Sequence, residues 1–341
     1  MSTSELTFLP EGRSLDASRK LLEGAIDIHV HAGPHLASSP RRVDPFEAAT
    51  EARDAGMRAI VLMDVFQVST GTAYLVNRVV DFPVFGGLIM NTVYGGMNPR
   101  SVRTALHYGA GARFVSFGTH STYYQASREG RVVDGVFKPL SVIYPTFAEQ
   151  ELARAIRIPV KGPISPELDE ILLMIGEHGN VYLRSGHVSS EEAMRVIELA
   201  KEYGIDQVVV DSAVTKNMTI EEQRQAASQG AWLEHTLAAF THTTSIPKTH
   251  YYVEKEYVSI DEGMHDEPSG GVRTVAEQIR AVGAEHCILS SDFGVYTLPT
   301  PVEGLREFIA CLLDLGIEEQ EIRQMVSLNP SKLLGFREHS G

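Results

Sequence analysis

Cysteine is nearly absent. The 341 residues hold two, Cys287 and Cys311, and neither belongs to a CxxC pair. A disulfide framework and a thiolate zinc site are thereby excluded. Long apolar runs are missing as well. None approaches the ~18 residues that a membrane span needs, and the opening MSTSELTFLPEGRSLDASRK lacks the apolar stretch of a secretory signal. Positive charge is scarce: 30 Lys and Arg stand against 44 Asp and Glu, for a net charge of −14. No basic footprint for nucleic acid is visible, and the acidic excess needs no explanation beyond solubility. These absences predict a cytoplasmic protein with neither membrane nor nucleic acid as partner. With 43% hydrophobic residues, 29 Gly and 16 Pro, the composition also excludes collagen-like and disordered chains. What the chain does have is 13 His beside those 44 carboxylates. Both classes ligate divalent metals, so their positions matter.

Eight short apolar runs each end in a polar or glycine-containing tip. They are AIDIHVHAG (25–33), RAIVLMDVF (58–66), VFGGLIMNT (84–92), ARFVSFGTH (112–120), NVYLRSGH (180–187), QVVVDSA (207–213), AWLEHTL (231–237) and CILSSDFG (287–294). Most lack strict alternation, as strands buried on both faces of a parallel sheet do. Amphipathic helical stretches separate them. Residues 44–57 and 98–109 open with Asp-Pro and Asn-Pro; 165–179 and 189–204 open with Ser and stop at Gly. TIEEQRQAASQG and VRTVAEQIRAVG follow the same plan.

This β–α alternation predicts a (β/α)8 TIM barrel, a fold of roughly 250 residues. A doubly wound open sheet is the competing architecture. Three segments exceed the barrel: a leader (1–24), 121–164 and 238–269. Asp134-Gly135, between apolar residues in the second of these, signals a hairpin. Long βα insertions of this kind build lids and pockets, and 301–336 reads as two or three C-terminal helices. No linker or repeat divides the chain, so 25–341 is expected to be a single domain.

The strongest local signal is Asp27-Ile28-His29-Val30-His31. Side chains alternate along a strand, so His29 and His31 share a face and can chelate one ion. Ser185-Gly186-His187 ends the fifth strand and Ser290-Ser291-Asp292 the eighth. Barrel active sites are built at the C-terminal tips of strands, and strands one and eight become neighbours on closure. A metal centre of His29, His31, His187 and Asp292 follows. Asp27 shares the face of His29 and can orient its imidazole. Glu234 and His235 end strand seven, where only one can face inward. Asp64 and Asn91 end strands two and three and are candidates to line the substrate pocket. Tyr123 and other tyrosines of the long insertions join them as candidates. His35, His242, His250 and His265 fall in loops and are expected to be solvated.

Taken with the tail Asn329-Pro330-Ser331-Lys332-Leu333-Leu334-Gly335, these motifs resemble the amidohydrolase superfamily of metal-dependent barrels over about residues 25–336. The resemblance implies a divalent ion, zinc foremost, with manganese or nickel as alternatives. It also implies hydrolysis at a carbon or phosphorus centre. Two departures matter. Many members carry a bridging Lys or Glu on strand four, where this chain reads Phe114-Val115-Ser116-Phe117-Gly118-Thr119-His120, with His120 the only obvious ligand candidate. Many carry a His after strand six, where this chain has Asp211-Ser212. One ion is therefore expected rather than two, with Asp211 and Glu234 as possible ligands of a second.

The mechanism expected is hydrolysis of a small amide, imide, lactam, lactone or ester. The ion lowers the pKa of a bound water toward ~7, Asp292 serves as general base, and His120 or His235 polarises the carbonyl. Two other functions fit the same residues: metal-dependent decarboxylation of an aromatic acid, and metal or ligand binding without catalysis. A homo-oligomer is expected, as is common for such barrels.

Overall fold

In the computed structural model the eight apolar runs become eight parallel strands. The model describes residues 13–37, 40–238 and 271–336. The strands are β1 (Ile26–Val30), β2 (Ala59–Leu62), β3 (Val84–Ile89), β4 (Ala112–Ser116), β7 (Tyr182–Arg184), β8 (Val208–Val210), β9 (Trp232–Thr236) and β10 (Cys287–Ser290), hydrogen-bonded in that order. The pair β5 (Gly130–Val133) and β6 (Val136–Pro139) forms a separate antiparallel hairpin. It turns at Asp134 and Gly135, both with positive φ, as the Asp-Gly signal predicts. Backbone bonds close the ring between β10 and β1. Asp292 N–H donates to the His29 carbonyl at 3.0 Å, and His31 N–H to the Phe293 carbonyl at 3.0 Å. The result is the predicted (β/α)8 barrel, not an open sheet.

Two apolar layers hold it. Outward residues such as Ile60, Leu88, Val115, Leu183, Val210 and Leu289 pack under the helices. Inward residues Ile28, Val61, Phe114, Tyr182, Val209 and Ile288 fill the interior. Leu333 and Leu334 of the C-terminal tail join that inner cluster. Asn329 anchors the tail by donating from Nδ2 to the carbonyls of Ala284 (2.8 Å) and Cys287 (2.6 Å). Both carbonyls precede or begin β10, so the tail plugs the N-terminal mouth of the barrel. The opposite mouth is left for chemistry.

Helix starts follow the capping signals. Asp44, Asn98, Ser165 and Ser189 each accept a backbone N–H of the first turn. Part of the expected leader is ordered against the barrel: helix Arg13–Leu22 buries Leu21 and Leu22 and bonds through Ser14 to Asp314. Cys287 is buried and Cys311 exposed, both as free thiols, so only the first is a packing residue. Among the described residues no helix is long and apolar enough to cross a membrane. His242, His250, His265 and most of the 238–269 insertion lie outside the described residues.

Candidate metal centre

Strand β1 does not run evenly. Its register with β2 slips between Asp27 and Val30, and the residues around that irregularity carry the site. His29 and His31 sit with ring centroids 5.0 Å apart. Their Nε2 atoms meet at one carboxylate oxygen, Asp292 Oδ1, at 3.2 and 3.0 Å. Asp292 reaches them from a left-handed backbone, φ 55°, an uncommon conformation for any residue but Gly. Two glycines beside the site permit close backbone approach. A Cβ at Gly294 would lie 2.0 Å from the His31 carbonyl oxygen, and one at Gly186 2.4 Å from those of Phe117 and Gly118.

The far nitrogen of each imidazole is fixed. His31 Nδ1 lies 2.8 Å from the Met63 carbonyl, which can only accept. The Nδ1 proton is thereby placed and the Nε2 lone pair points at Asp292. His29 Nδ1 lies 3.2 Å from both oxygens of Glu234. It lies equally far from Arg184 Nη2, also a donor. One nitrogen cannot satisfy both, and the charged carboxylate is the stronger partner, so His29 donates to Glu234 and its Nε2 is free as well.

The electrostatics match. Burial, seconded by Arg41, lowers His31 to about 4 and keeps it neutral. Burial would also lower His29, but the Asp292 and Glu234 carboxylates more than offset it and raise the group to about 9. Burial opposes ionisation of Asp292, yet His29 and His31 hold it well below the usual carboxylate range. Balanced by protons alone, the carboxylates make His29 a cation, and that proton occupies the position a divalent ion would take. His29, His31 and Asp292 can bring ligand atoms within 4.8 Å of one another. With the His29 proton displaced, two nitrogens with oriented lone pairs and one carboxylate would suit a divalent ion such as zinc.

The other expected residues are distributed around this core. Glu234 faces inward, as one member of its pair must, and touches His29 rather than Asp292. It forms a second possible ligand group with His29 and Asp211. His235, on the opposite face of β9, is 2% exposed, and its Nε2 has no hydrogen-bond partner among the described residues. His187 is half-buried and outside the compact group of His29, His31 and Asp292. Its ring is 5.7 Å from that of His120, its Nδ1 is buried without a hydrogen-bond partner among the described residues, and burial followed by His120 holds it well below its ordinary pKa. His120 pairs through Nδ1 with buried Glu129.

Asn91 ties strand ends together. It donates to the Val65 carbonyl and accepts the Thr119 N–H at 2.8 Å. Asp64 caps its own loop, accepting from Phe66 N–H and Gln67 Nε2. Tyr123 lies under the Arg157 guanidinium, 3.3 Å from ring centre to Cζ. Asp27 does not orient an imidazole. Its carboxylate accepts the backbone N–H groups of His29 and Ser291 and helps close the barrel.

Two functional neighbours escape the sequence reading. Glu129 lies beyond β4, before a hairpin, with nothing local to mark it. Arg184 did carry a signal: it is a guanidinium at the end of an apolar barrel strand, two residues from inward-facing Tyr182. It is fully buried and ion-paired to Asp211 at 2.5 Å and Glu234 at 2.6 Å.

Residues 24–234 match the model of a family of unknown function, DUF6282. No curated protein matches the sequence. Solved structures share the fold at low identity. The probable dipeptidase PvdM from Pseudomonas aeruginosa is 12% identical with a TM-score of 0.56, over 95% of this chain and 98% of that one. An amidohydrolase from the same organism is 13% identical with a TM-score of 0.51, over 94% and 98%. An amidohydrolase from Burkholderia multivorans with bound Zn is 10% identical with a TM-score of 0.53, over 92% and 99%. The fold is thus that of amidohydrolase-superfamily barrels.

Proposed function

The chain belongs to the family of unknown function DUF6282, and we propose that it is a metal-dependent hydrolase of a small amide, imide, lactam, lactone or ester. One observation carries this: two imidazoles whose far nitrogens are fixed turn both Nε2 atoms onto Asp292 Oδ1. His29, His31 and Asp292 would hold the ion, zinc foremost. A bound divalent ion supplies a Lewis acid that acidifies water to a pKa of about 7 and polarises a carbonyl oxygen.

The protein's own groups divide the remaining work. Asp292 is the most accessible of the three, with 26% of its side chain exposed against 5% for His29 and 13% for His31. Both imidazole contacts use Oδ1, which leaves Oδ2 to accept a proton from water and return it to the leaving group. His187 is neutral with an unpartnered Nδ1, suited to a hydrogen bond with the substrate as charge develops on its oxygen. His120, steadied by Glu129, stands behind His187. Glu234 holds His29 in one tautomer and orientation.

The test begins with metal analysis of the purified protein and of His29→Ala. About one ion in the first and none in the second is expected. A panel of lactones, esters, amides and aromatic carboxylic acids is then screened in ¹⁸O-labelled water. Label in the product supports hydrolysis. Release of carbon dioxide without label identifies a decarboxylase instead, and a metal-loaded protein inert on carboxylic acids and their derivatives alike would mark a binding protein.

A further inference from the structure

Beside the metal centre lies a second set of potential ligands with a different occupant. His29, Asp211 and Glu234 can bring one ligand atom each within 4.8 Å of one another, and all three are buried. Two carboxylates so close inside a protein stay ionised together only beside a cation. Arg184 supplies it. Its Nη2 lies 2.5 Å from Asp211 Oδ1 and 2.6 Å from Glu234 Oε2, and its Nε lies 3.1 Å from the same Asp211 oxygen. Its side chain is 0% exposed.

We propose that the Arg184 guanidinium permanently occupies the place of a second divalent ion, which fixes this centre at one exchangeable metal. The idea rests on the metal reading above, but its own prediction concerns a difference between variants. The geometry supports it on three counts. First, the guanidinium contacts both carboxylates of the group, with no gap between them. Second, the rest of the donor set is directed around this cation. Asp211 Oδ2 accepts Gly186 N–H at 2.8 Å and Ser185 Oγ–H at 3.3 Å, and Glu234 Oε2 accepts Ser212 N–H at 3.3 Å. Third, a dication and a guanidinium cannot share one buried pair of carboxylates, because like charges at such range repel strongly in a water-poor interior.

A covalently attached cation also differs from a metal in what it does. It offers no open coordination position and activates no water. Its task is positional: it holds Glu234, and Glu234 holds His29 Nδ1. Arg184 is therefore a positioning residue, acting on the metal centre through one carboxylate.

The experiment counts ions. Wild type, Arg184→Ser and Arg184→Lys are equilibrated with excess Mn²⁺, freed of unbound metal and analysed for manganese per chain, with paramagnetic resonance to detect a coupled pair. Arg184→Ser opens room between Asp211 and Glu234 and is expected to hold one ion more than wild type. Arg184→Lys keeps a cation there and is expected to match wild type. In Arg184→Ser/Asp211→Asn/Glu234→Gln the additional ion should disappear. An Arg184→Ser protein that is folded and binds no more Mn²⁺ than wild type overturns the proposal, as does an additional ion that persists in the triple variant. Should Arg184→Ser be unfolded in chelator, the thermal shift on adding Mn²⁺ becomes the measure. A gain larger than that of wild type supports the proposal, and an equal or smaller one overturns it. Wild type that binds no metal would defeat the hydrolase reading alone, since the difference between Arg184→Ser and wild type would still decide this one.

Discussion

His31 gives its Nδ1 proton to the carbonyl oxygen of Met63, 2.8 Å away, and that bond decides what its other nitrogen can do. With Nδ1 committed, Nε2 is a lone pair aimed at Asp292. Burial keeps the ring neutral at physiological pH, so no proton needs to be removed from His31 before it can act as a ligand. A backbone carbonyl just past β2 thus leaves a lone pair free on the imidazole just past β1, and it does so without a side chain that sequence inspection would notice.

Replacing His31 by Ala removes a ligand outright and should cost more than the ~10–100-fold in metal affinity typical of changes one layer further out. Competition with a chromogenic chelator measures this. Undiminished zinc affinity in folded His31→Ala would mean that the ion binds elsewhere.

Glu234→Gln probes that outer layer. The amide can still accept from His29 but no longer bears the charge that balances Arg184. Metal affinity should fall about 10–100-fold. Stability should fall by about 1–3 kcal/mol, the cost of weakening one charged partner while Arg184 keeps Asp211. Chelator competition and urea denaturation read the two effects separately. A variant with wild-type values in both would remove Glu234 from the account.

Asn329→Ala should separate stability from the site. Asn329 is buried at the plugged mouth of the barrel and donates to two carbonyls. Its loss removes two buried hydrogen bonds, at roughly 0.5–1.5 kcal/mol each, although the Ala284 carbonyl keeps the Cys287 N–H, so the melting temperature should drop by several degrees. Metal content should be unchanged, because the catalytic mouth lies at the other end of the strands. Loss of metal in a folded variant would contradict that separation.

The barrel was legible in the sequence because its signals are local and repeated: apolar runs, Ser or Asn-Pro helix starts, and the Asp-Gly hairpin. The His29–His31 pair and Asp292 were legible because the fold places strand tips together. What the sequence did not disclose depends on backbone register and long-range packing. The irregularity in β1 turns Asp27 to backbone donors instead of an imidazole. The buried Arg184 occupies the space between Asp211 and Glu234, which alternation alone would have offered to a metal. His187 and Asp292 follow strands three places apart in the barrel, and spacing along the chain does not state how far each reaches inward.

His235 contributes to the acid limit of stability. Its folded pKa is lowered to about 4 by burial, against an ordinary value of 6.5, and the nearby Glu234 charge only partly compensates. A depressed base stays neutral in the folded protein while the unfolded chain takes up a proton below about pH 6.5. The group therefore costs no stability above that pH, and the loss grows as pH falls, reaching something on the order of 3 kcal/mol near pH 4. His235→Leu removes the titrating group and the buried nitrogen that has no hydrogen-bond partner. Urea denaturation of metal-free protein from pH 7.5 to 4.5 should show a shallower loss of stability in His235→Leu than in wild type. Parallel curves would show that His235 is not protonated on unfolding in this range and would shift the cause of acid lability to other groups.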